Sequence, residues 1–285
     1  MSGSEASEKA LGKAIQRARQ AFGMTQQELC NVAGLSYSTL TKIERGAIKT
    51  PSVFTVARIA SSLGVPLDSL LDGSDISTQP MIKKRSRSGI SFVYVDINGC
   101  LVHFFHSAFS RISMDKGVSA ELVETAFWHY NDAVCKGEMS LEAFNESFAR
   151  QLRVDSIDWT SYYMDSVEPI TEMIELMSWL SKNYKVGLLS NIMPGYIKQM
   201  IDRGLLPRIS YDVIIDSSEV GYIKPEPQIY SIASSKAGVP GDEILFIDDS
   251  RTNLMAAEQF GWKVMWFDDL RPEESVRRIK SALEF

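Results

Sequence analysis

Residues 92–96 read Phe92-Val93-Tyr94-Val95-Asp96, a short apolar run that ends on a carboxylate. The same shape returns as Val186-Gly187-Leu188-Leu189-Ser190-Asn191 and again as Ile244-Leu245-Phe246-Ile247-Asp248-Asp249. Val213-Ile214-Ile215-Asp216 and Val264-Met265-Trp266-Phe267-Asp268 supply two further strand candidates, and helical patterns lie between all of them. Alternating strands and helices predict a doubly wound α/β sheet of parallel strands.

Ligands of such sheets bind in the crevice beyond the C-terminal strand ends, so this reading gathers Asp96, Ser190, Asp248 and Asp249 in one place. Clustered carboxylates repel one another unless a cation joins them. A hard divalent ion with oxygen ligands, Mg²⁺, meets that need and tolerates a bound phosphate. Lys224 stands in the Pro-rich loop Gly221-Tyr222-Ile223-Lys224-Pro225-Glu226-Pro227. Its ammonium can neutralise Asp96 and a substrate oxyanion together.

These four stretches, in order across residues 92–260, resemble the motifs of the haloacid dehalogenase (HAD) superfamily of hydrolases. The resemblance implies that Asp96 is a nucleophile forming an aspartyl-phosphate, that Ser190 with Asn191 holds the transferred group, and that Lys224 steadies both. It further implies Mg²⁺ on Asp96, Asp248 and Asp249 and on the backbone carbonyl of Asn98. Family phosphatases usually carry a second Asp two residues after the nucleophile, as general acid and base. Here that residue is Asn98, and a carboxamide does not titrate in the useful range. The substitution argues against ordinary phosphomonoester hydrolysis but not against better leaving groups.

Between Leu101 and about Tyr184 the sequence is helical, with patterns at Ala108–Met114, Ala120–Val134 and Leu141–Leu152. This interval resembles the family's inserted helical cap, of the kind that closes over a site and excludes water. Trp128, His129, Tyr130 and Asn131 are candidates for a pocket wall or for cap core. His103 and His106 lack a third His at metal spacing and read as packing or surface residues. Cys100 reads as a small buried residue.

The first third of the chain differs in charge. Residues 1–90 hold 12 Lys/Arg against 7 Asp/Glu, while residues 91–285 hold 18 against 29. Only the first segment has the positive surplus that favours phosphate backbones. Leu11, Ile15, Ala18 and Phe22 recur at helical spacing, with Gly23 as the expected stop. Thr25-Gln26-Gln27-Glu28 is a capping box that opens a second helix ending at Gly34. Ser36 caps a third helix to Arg45, and Gly46 stops it. Thr50-Pro51 offers a cap for a fourth helix through Leu63, and Pro66 to Leu71 form a short fifth.

Two short helices around a tight Gly turn, second and third in a five-helix unit, form a helix-turn-helix. Residues 10–72 resemble the Cro/phage-repressor (XRE) type. By that resemblance Gln26 contacts a phosphate, Tyr37, Ser38 and Lys42 face base edges in the major groove of double-stranded DNA, and Arg45 and Lys49 hold the backbone. Repressors of this type pair, which implies a homodimer.

The expected organisation is an all-α five-helix unit over residues 1–73, a Ser- and Lys/Arg-rich linker over 74–90, and a HAD-like Rossmannoid domain over 91–285 with its cap near 101–184. The linker's Lys83, Lys84, Arg85 and Arg87 are either phosphate contacts or a solvated tether. Cys30, Cys100 and Cys135 are odd in number and far apart, which suits a reducing compartment. No apolar block resembles a signal peptide or a membrane span, so a cytoplasmic protein is expected. The combination predicts a DNA-binding transcriptional regulator whose HAD-like domain binds Mg²⁺ and a phosphorylated or anionic metabolite. The alternative is a HAD-type phosphatase whose helix-turn-helix serves recruitment or autoregulation. An interaction protein without an active site, such as an antitoxin, leaves Asp96, Ser190, Lys224 and Asp248 unexplained.

Overall fold

The computed structural model describes residues 3–21, 24–63, 65, 67, 70, 83 and 85–283. The chain divides into two compact units, Met1–Met81 and Ile82–Phe285.

In the first unit, α1 (Gly3–Ala21), α2 (Gln26–Ala33), α3 (Tyr37–Glu44) and α4 (Val53–Leu63) surround a core of Ile15, Leu29, Leu40, Ile43, Ile59 and Leu63. The capping box forms as expected: the Glu28 amide donates to Thr25 Oγ1 at 3.2 Å and the Thr25 amide to Glu28 Oε2 at 2.7 Å. Gly34 ends α2 at φ 59°, a left-handed position suited to glycine. Ser36 accepts the Thr39 amide and starts α3. The expected fourth-helix cap moves by two residues. Ser52, not Thr50, accepts the Thr55 amide at 3.2 Å, so Pro51 precedes the cap instead of opening the helix. Of the fifth-helix segment, Leu67 and Leu70 are helical, and its other residues lie outside the described residues, as does Gly23.

One contact in this unit is invisible to periodicity. Arg19 lies across Glu44, with Nε 2.8 Å from Oε1 and Nη2 3.1 Å from Oε2, and both side chains are almost fully buried. Arg19 Nη1 also donates to the Met24 carbonyl at 2.6 Å. A two-pronged pair of this kind fixes α1 against α3 with more geometric demand than apolar contact.

The second unit is a five-stranded parallel sheet of β1 (Phe92–Val95), β2 (Lys185–Ser190), β3 (Val213–Asp216), β4 (Ile244–Asp248) and β5 (Lys263–Trp266), in the order β3-β2-β1-β4-β5. β1 is central and buried on both faces, which is why it reads as an unbroken apolar run. Val93 and Val95 pack into one core, and Phe92 and Tyr94 into the other. Gly187 pairs in register with Tyr94, and a Cβ there would lie 2.6 Å from the Tyr94 ring. Glycine makes room for the aromatic side chain at the middle of the sheet.

Between β1 and β2 come α5 (His106–Lys116), α6 (Ala120–Cys135), α7 (Leu141–Leu152) and the short α8 (Trp159–Met164). Rings of Phe105, Phe109, Phe127, Phe144 and Trp159 pack edge-on and stacked at their centre. α9 (Thr171–Asn183) packs differently, against β2 and the final helix α14 (Pro272–Ala282), as a layer of the sheet. α10 (Tyr196–Arg203), α11 (Ser217–Val220), α12 (Pro227–Ala237) and α13 (Arg251–Gln259) complete the connections.

Residues 85–91 already belong to this unit. Ser86 and Ile90 are buried, Arg85 pairs with Glu243 at 2.6 Å, and Lys83 donates to the Ser181 carbonyl at 2.5 Å. Two of the four basic linker residues therefore have partners within the α/β unit. Lys84 lies outside the described residues.

Candidate functional site

The central position of β1 delivers Asp96 between the ends of β2 and β4, since the Asp96 amide still donates to Ile247 at 3.0 Å. Ser190 closes β2 and Asp248 closes β4, so parallel pairing brings residues far apart in sequence to one edge. Lys224 enters from the loop ahead of α12. Its Nζ lies 2.9 Å from Asp96 Oδ2 and 2.7 Å from Asp248 Oδ2, and its side chain is 1% exposed. Asn191 fixes that loop by clasping the Lys224 backbone: its Nδ2 donates to the carbonyl at 2.8 Å and its Oδ1 accepts the amide at 2.7 Å.

Each carboxylate has its own support. Asp96 Oδ1 accepts the Ile97 amide at 2.7 Å. Asp248 Oδ1 accepts the Ser250 amide at 2.7 Å, and Asn253 Nδ2 lies 3.2 Å from both Asp248 oxygens. Oxygens of Asp96, Asp248 and Asp249 lie within 4.8 Å of one another. Gly99, at φ 78°, lets Asp249 approach: a Cβ there would lie 2.2 Å from Asp249 Oδ2.

The electrostatics follow from three acids sharing one ammonium. Burial pushes Asp96 up to about 6, with Asp248 adding to the rise and Lys224 and the Ser190 hydroxyl opposing it. Burial likewise pushes Asp249 up to about 7, reinforced by Asp96 and Asp248. Burial disfavours the charged form of Lys224, but Asp248 and Asp96 outweigh it and leave the ammonium harder to deprotonate than usual. The cluster thus keeps an uncompensated negative charge on hard oxygen donors, the chemistry that suits Mg²⁺.

Asn98 sits at the mouth of this cluster, and its Oδ1 accepts the Tyr163 hydroxyl of α8 at 2.7 Å. Of the expected pocket residues, Asn131 lines the cavity beside Asn98 and Asn191, whereas Trp128 and His129 are exposed and Tyr130 packs on Phe144. His103 and His106 are exposed, and Cys100 is fully buried. Tyr163, Trp159 and Asn253 were not anticipated from sequence. Only Asn253 had a signal, a polar residue one turn into the helix after Asp248.

On the helix-turn-helix unit, Tyr37, Ser38 and Lys42 share the exposed side of α3, and Arg45 and Lys49 are exposed beyond its end. Gln26 is half-buried, and its Nε2 donates to Glu44 Oε2 at 2.7 Å, so the Arg19–Glu44 pair also positions it. Among the described residues, no helix is long and apolar enough to cross a membrane.

Comparison with known proteins agrees with both halves. A helix-turn-helix family model matches residues 15–70. The chain is 27% identical over 157 residues to acyl-CoA dehydrogenase family member 10 of Mus musculus, a match covering 53% of this chain and 14% of that protein. It is 30% identical over 103 residues to the (S)-2-haloacid dehalogenase of Pseudomonas fluorescens, covering 33% of this chain and 45% of the enzyme. The chain therefore spans less than half the length of these relatives. A HAD-like hydrolase of Porphyromonas gingivalis superposes with a TM-score of 0.55 at 22% identity, covering 67% of this chain and 98% of that one. A HAD family enzyme of Bacteroides thetaiotaomicron, solved with magnesium and inorganic phosphate, gives 0.53 at 21% identity over 63% of this chain and 94% of its own. At such identities the likeness shows the fold. The model described as haloacid dehalogenase-like hydrolase matches residues 91–261, well over half of the sequence, and the chain belongs to that family.

Proposed function

We propose that this chain is a DNA-binding transcriptional regulator whose HAD-like domain binds Mg²⁺ and a small phosphorylated metabolite, with Asp96 as a phosphoryl acceptor. The observation that carries the reading is Lys224 buried between Asp96 and Asp248 at the strand ends, with Asp249 alongside and, among the described residues, without an ion pair of its own. Asp96, Asp248, Asp249 and the Asn98 carbonyl would hold the cation, which when bound offsets the charge of phosphoryl oxygens. Ser190 and Asn191 would hold the phosphoryl group, and Lys224 keeps the Asp96 carboxylate ionised and oriented. Attack by a carboxylate divides one difficult displacement into two easier ones.

In the first unit, Gln26, Arg45 and Lys49 would contact phosphates, and Tyr37, Ser38 and Lys42 would face the major groove, as two copies bind half-sites about 34–36 Å apart. Three buried free cysteines fit a reducing cytoplasm. Thermal shift with Mg²⁺ and inorganic phosphate, followed by gel shifts with and without both, tests the regulator. Stabilisation together with a change in operator affinity is expected, and no specific operator at any salt concentration refutes it.

The contacts that join Asp96, Ser190, Lys224 and Asp248 favour one second reading, a phosphatase recruited or autoregulated by its helix-turn-helix. Mg²⁺-dependent turnover of a phosphate-ester panel, lost in Asp96→Asn and without effect on DNA affinity, would select it.

A further inference from the structure

The insert carries a separate cavity of about 540 Å³, between α7 and the segment 154–157 that follows it. It shares no lining residue with the cavity beside Asn98 and Asn191. Pockets for small organic ligands span about 300–1,000 Å³, so this one has the right size. Ala149, Val154 and Ile157 give it an apolar floor, and exposed charges of both signs stand around that floor. Arg153, the only non-glycine among the described residues at a left-handed φ (57°), turns the chain back so that 154–157 forms the opposite wall.

Glu146 and Arg150 are one turn apart on α7, the spacing and order at which a helix ordinarily pairs an acid with a base. Among the described residues neither pairs with the other or with a third group, and Asp155 across the cavity is likewise unpaired. Three charges therefore border one space without neutralising one another. Asn145 adds a directed group: its Oδ1 accepts the Trp159 amide at 3.2 Å, which fixes the carboxamide, while its Nδ2 hydrogens have no partner among the described residues. One cation, Arg150, against two carboxylates, Glu146 and Asp155, leaves the lining with one uncompensated negative charge.

The complementary ligand has one carboxylate, two ammonium groups and a short aliphatic body. A diamine leaves Arg150 unanswered, and a dicarboxylate meets two acids. We propose that this cavity binds a basic amino acid, free or at the start of a dipeptide. Arg150 and Asn145 Nδ2 take the carboxylate, Glu146 and Asp155 take the ammonium groups, and the aliphatic stem lies over Ala149, Val154 and Ile157. Hydrogen bonds between ionised groups are about twice as strong as neutral ones, which lets a partly open site hold a small polar ligand. The site needs neither a cation nor phosphoryl chemistry, so it stands apart from the Asp96 reading.

Calorimetry on the full-length protein in EDTA uses L-lysine and lysyl-alanine as probes, with L-leucine, cadaverine and adipate as controls. One-to-one binding of lysine or lysyl-alanine is expected, with each control at least about tenfold weaker. The tighter probe identifies the free or the peptide form. Arg150→Gln should lower lysine affinity by about tenfold or more and leave cadaverine unchanged, and Glu146→Gln should remove most of the preference for lysine over leucine. Ser156→Trp fills the cavity from its exposed edge and should abolish binding. Melting midpoints of these surface variants should stay within about 2 °C of wild type. Hydrogen exchange at the Trp159 amide should slow when lysine is bound, since Asn145 accepts that amide. No binding of either probe at about 10 mM, equal affinity for leucine or cadaverine, or unchanged lysine affinity in both Arg150→Gln and Ser156→Trp overturns the inference.

Discussion

Replacing Lys224 with Met keeps much of the side-chain volume and removes the ammonium that bridges Asp96 and Asp248 at 2.9 and 2.7 Å. The site is sealed, with these side chains at most 9% exposed, so water does little to replace the lost charge. Breaking a buried pair by removing one partner costs about 3–5 kcal/mol. For a domain of this size each kcal/mol moves the melting midpoint by about 2–4 °C, which gives a fall of roughly 6–20 °C in EDTA. All five tryptophans lie beyond residue 127, so intrinsic fluorescence follows the α/β unit selectively. If a cation occupies the same cluster, magnesium substitutes for the missing charge. At a hundred times its dissociation constant it returns about 2.7 kcal/mol. A drop below about 2 °C in EDTA would refute the claim that the ammonium holds the carboxylates together. A melting midpoint that magnesium leaves unmoved in both the wild type and the Lys224→Met protein would refute the cation site.

The remaining predictions concern titration, the Asp249 approach and the DNA face. Asp96 and Asp249 titrate near 6 and 7 in the folded chain, above ordinary carboxylates, so the folded state binds their protons more tightly than the unfolded state. Metal-free stability from these two groups therefore grows as pH falls from about 8 to about 5 and is lost as pH rises again, and saturating magnesium flattens the trend; melts across that range in EDTA and in magnesium check both halves. Gly99→Ala forces a Cβ to within 2.2 Å of Asp249 at a left-handed backbone position, and calorimetry should show magnesium affinity reduced by about tenfold or more. Arg45→Ala should weaken DNA binding uniformly across sequences and lower the salt slope by about one, whereas Lys42→Ala should change sequence preference, both read by fluorescence anisotropy over a salt series.

How much of this was legible beforehand depends on which residues are set by local pattern. β1, β2 and β4 announce themselves because a strand covered on both faces must be apolar throughout, and the carboxylate that ends each run marks the sheet edge. The Thr25 box and the Gly34 stop are equally local. The Thr50 cap was misplaced because Ser52 offers the same oxygen two residues later and only backbone direction decides between them. Arg19 and Glu44 look like surface charges, since nothing local marks a pair that spans 25 residues. Tyr163 and Trp159 come from a single short helix whose placement over Asn98 depends on the packing of the whole insert.

The sheet order also sets when the acidic cluster can assemble during synthesis. Asp96 leaves the ribosome early, but its neighbours Lys224 and Asp248 are made only after the insert, β2 and β3 have been translated. Until β4 emerges and pairs with β1, the acid has neither its counter-charge nor the second carboxylate, so a nascent or truncated chain cannot acquire the site piecemeal. Premature termination before Asp248 thus yields a chain that keeps every residue of the helix-turn-helix unit and has no complete acidic cluster.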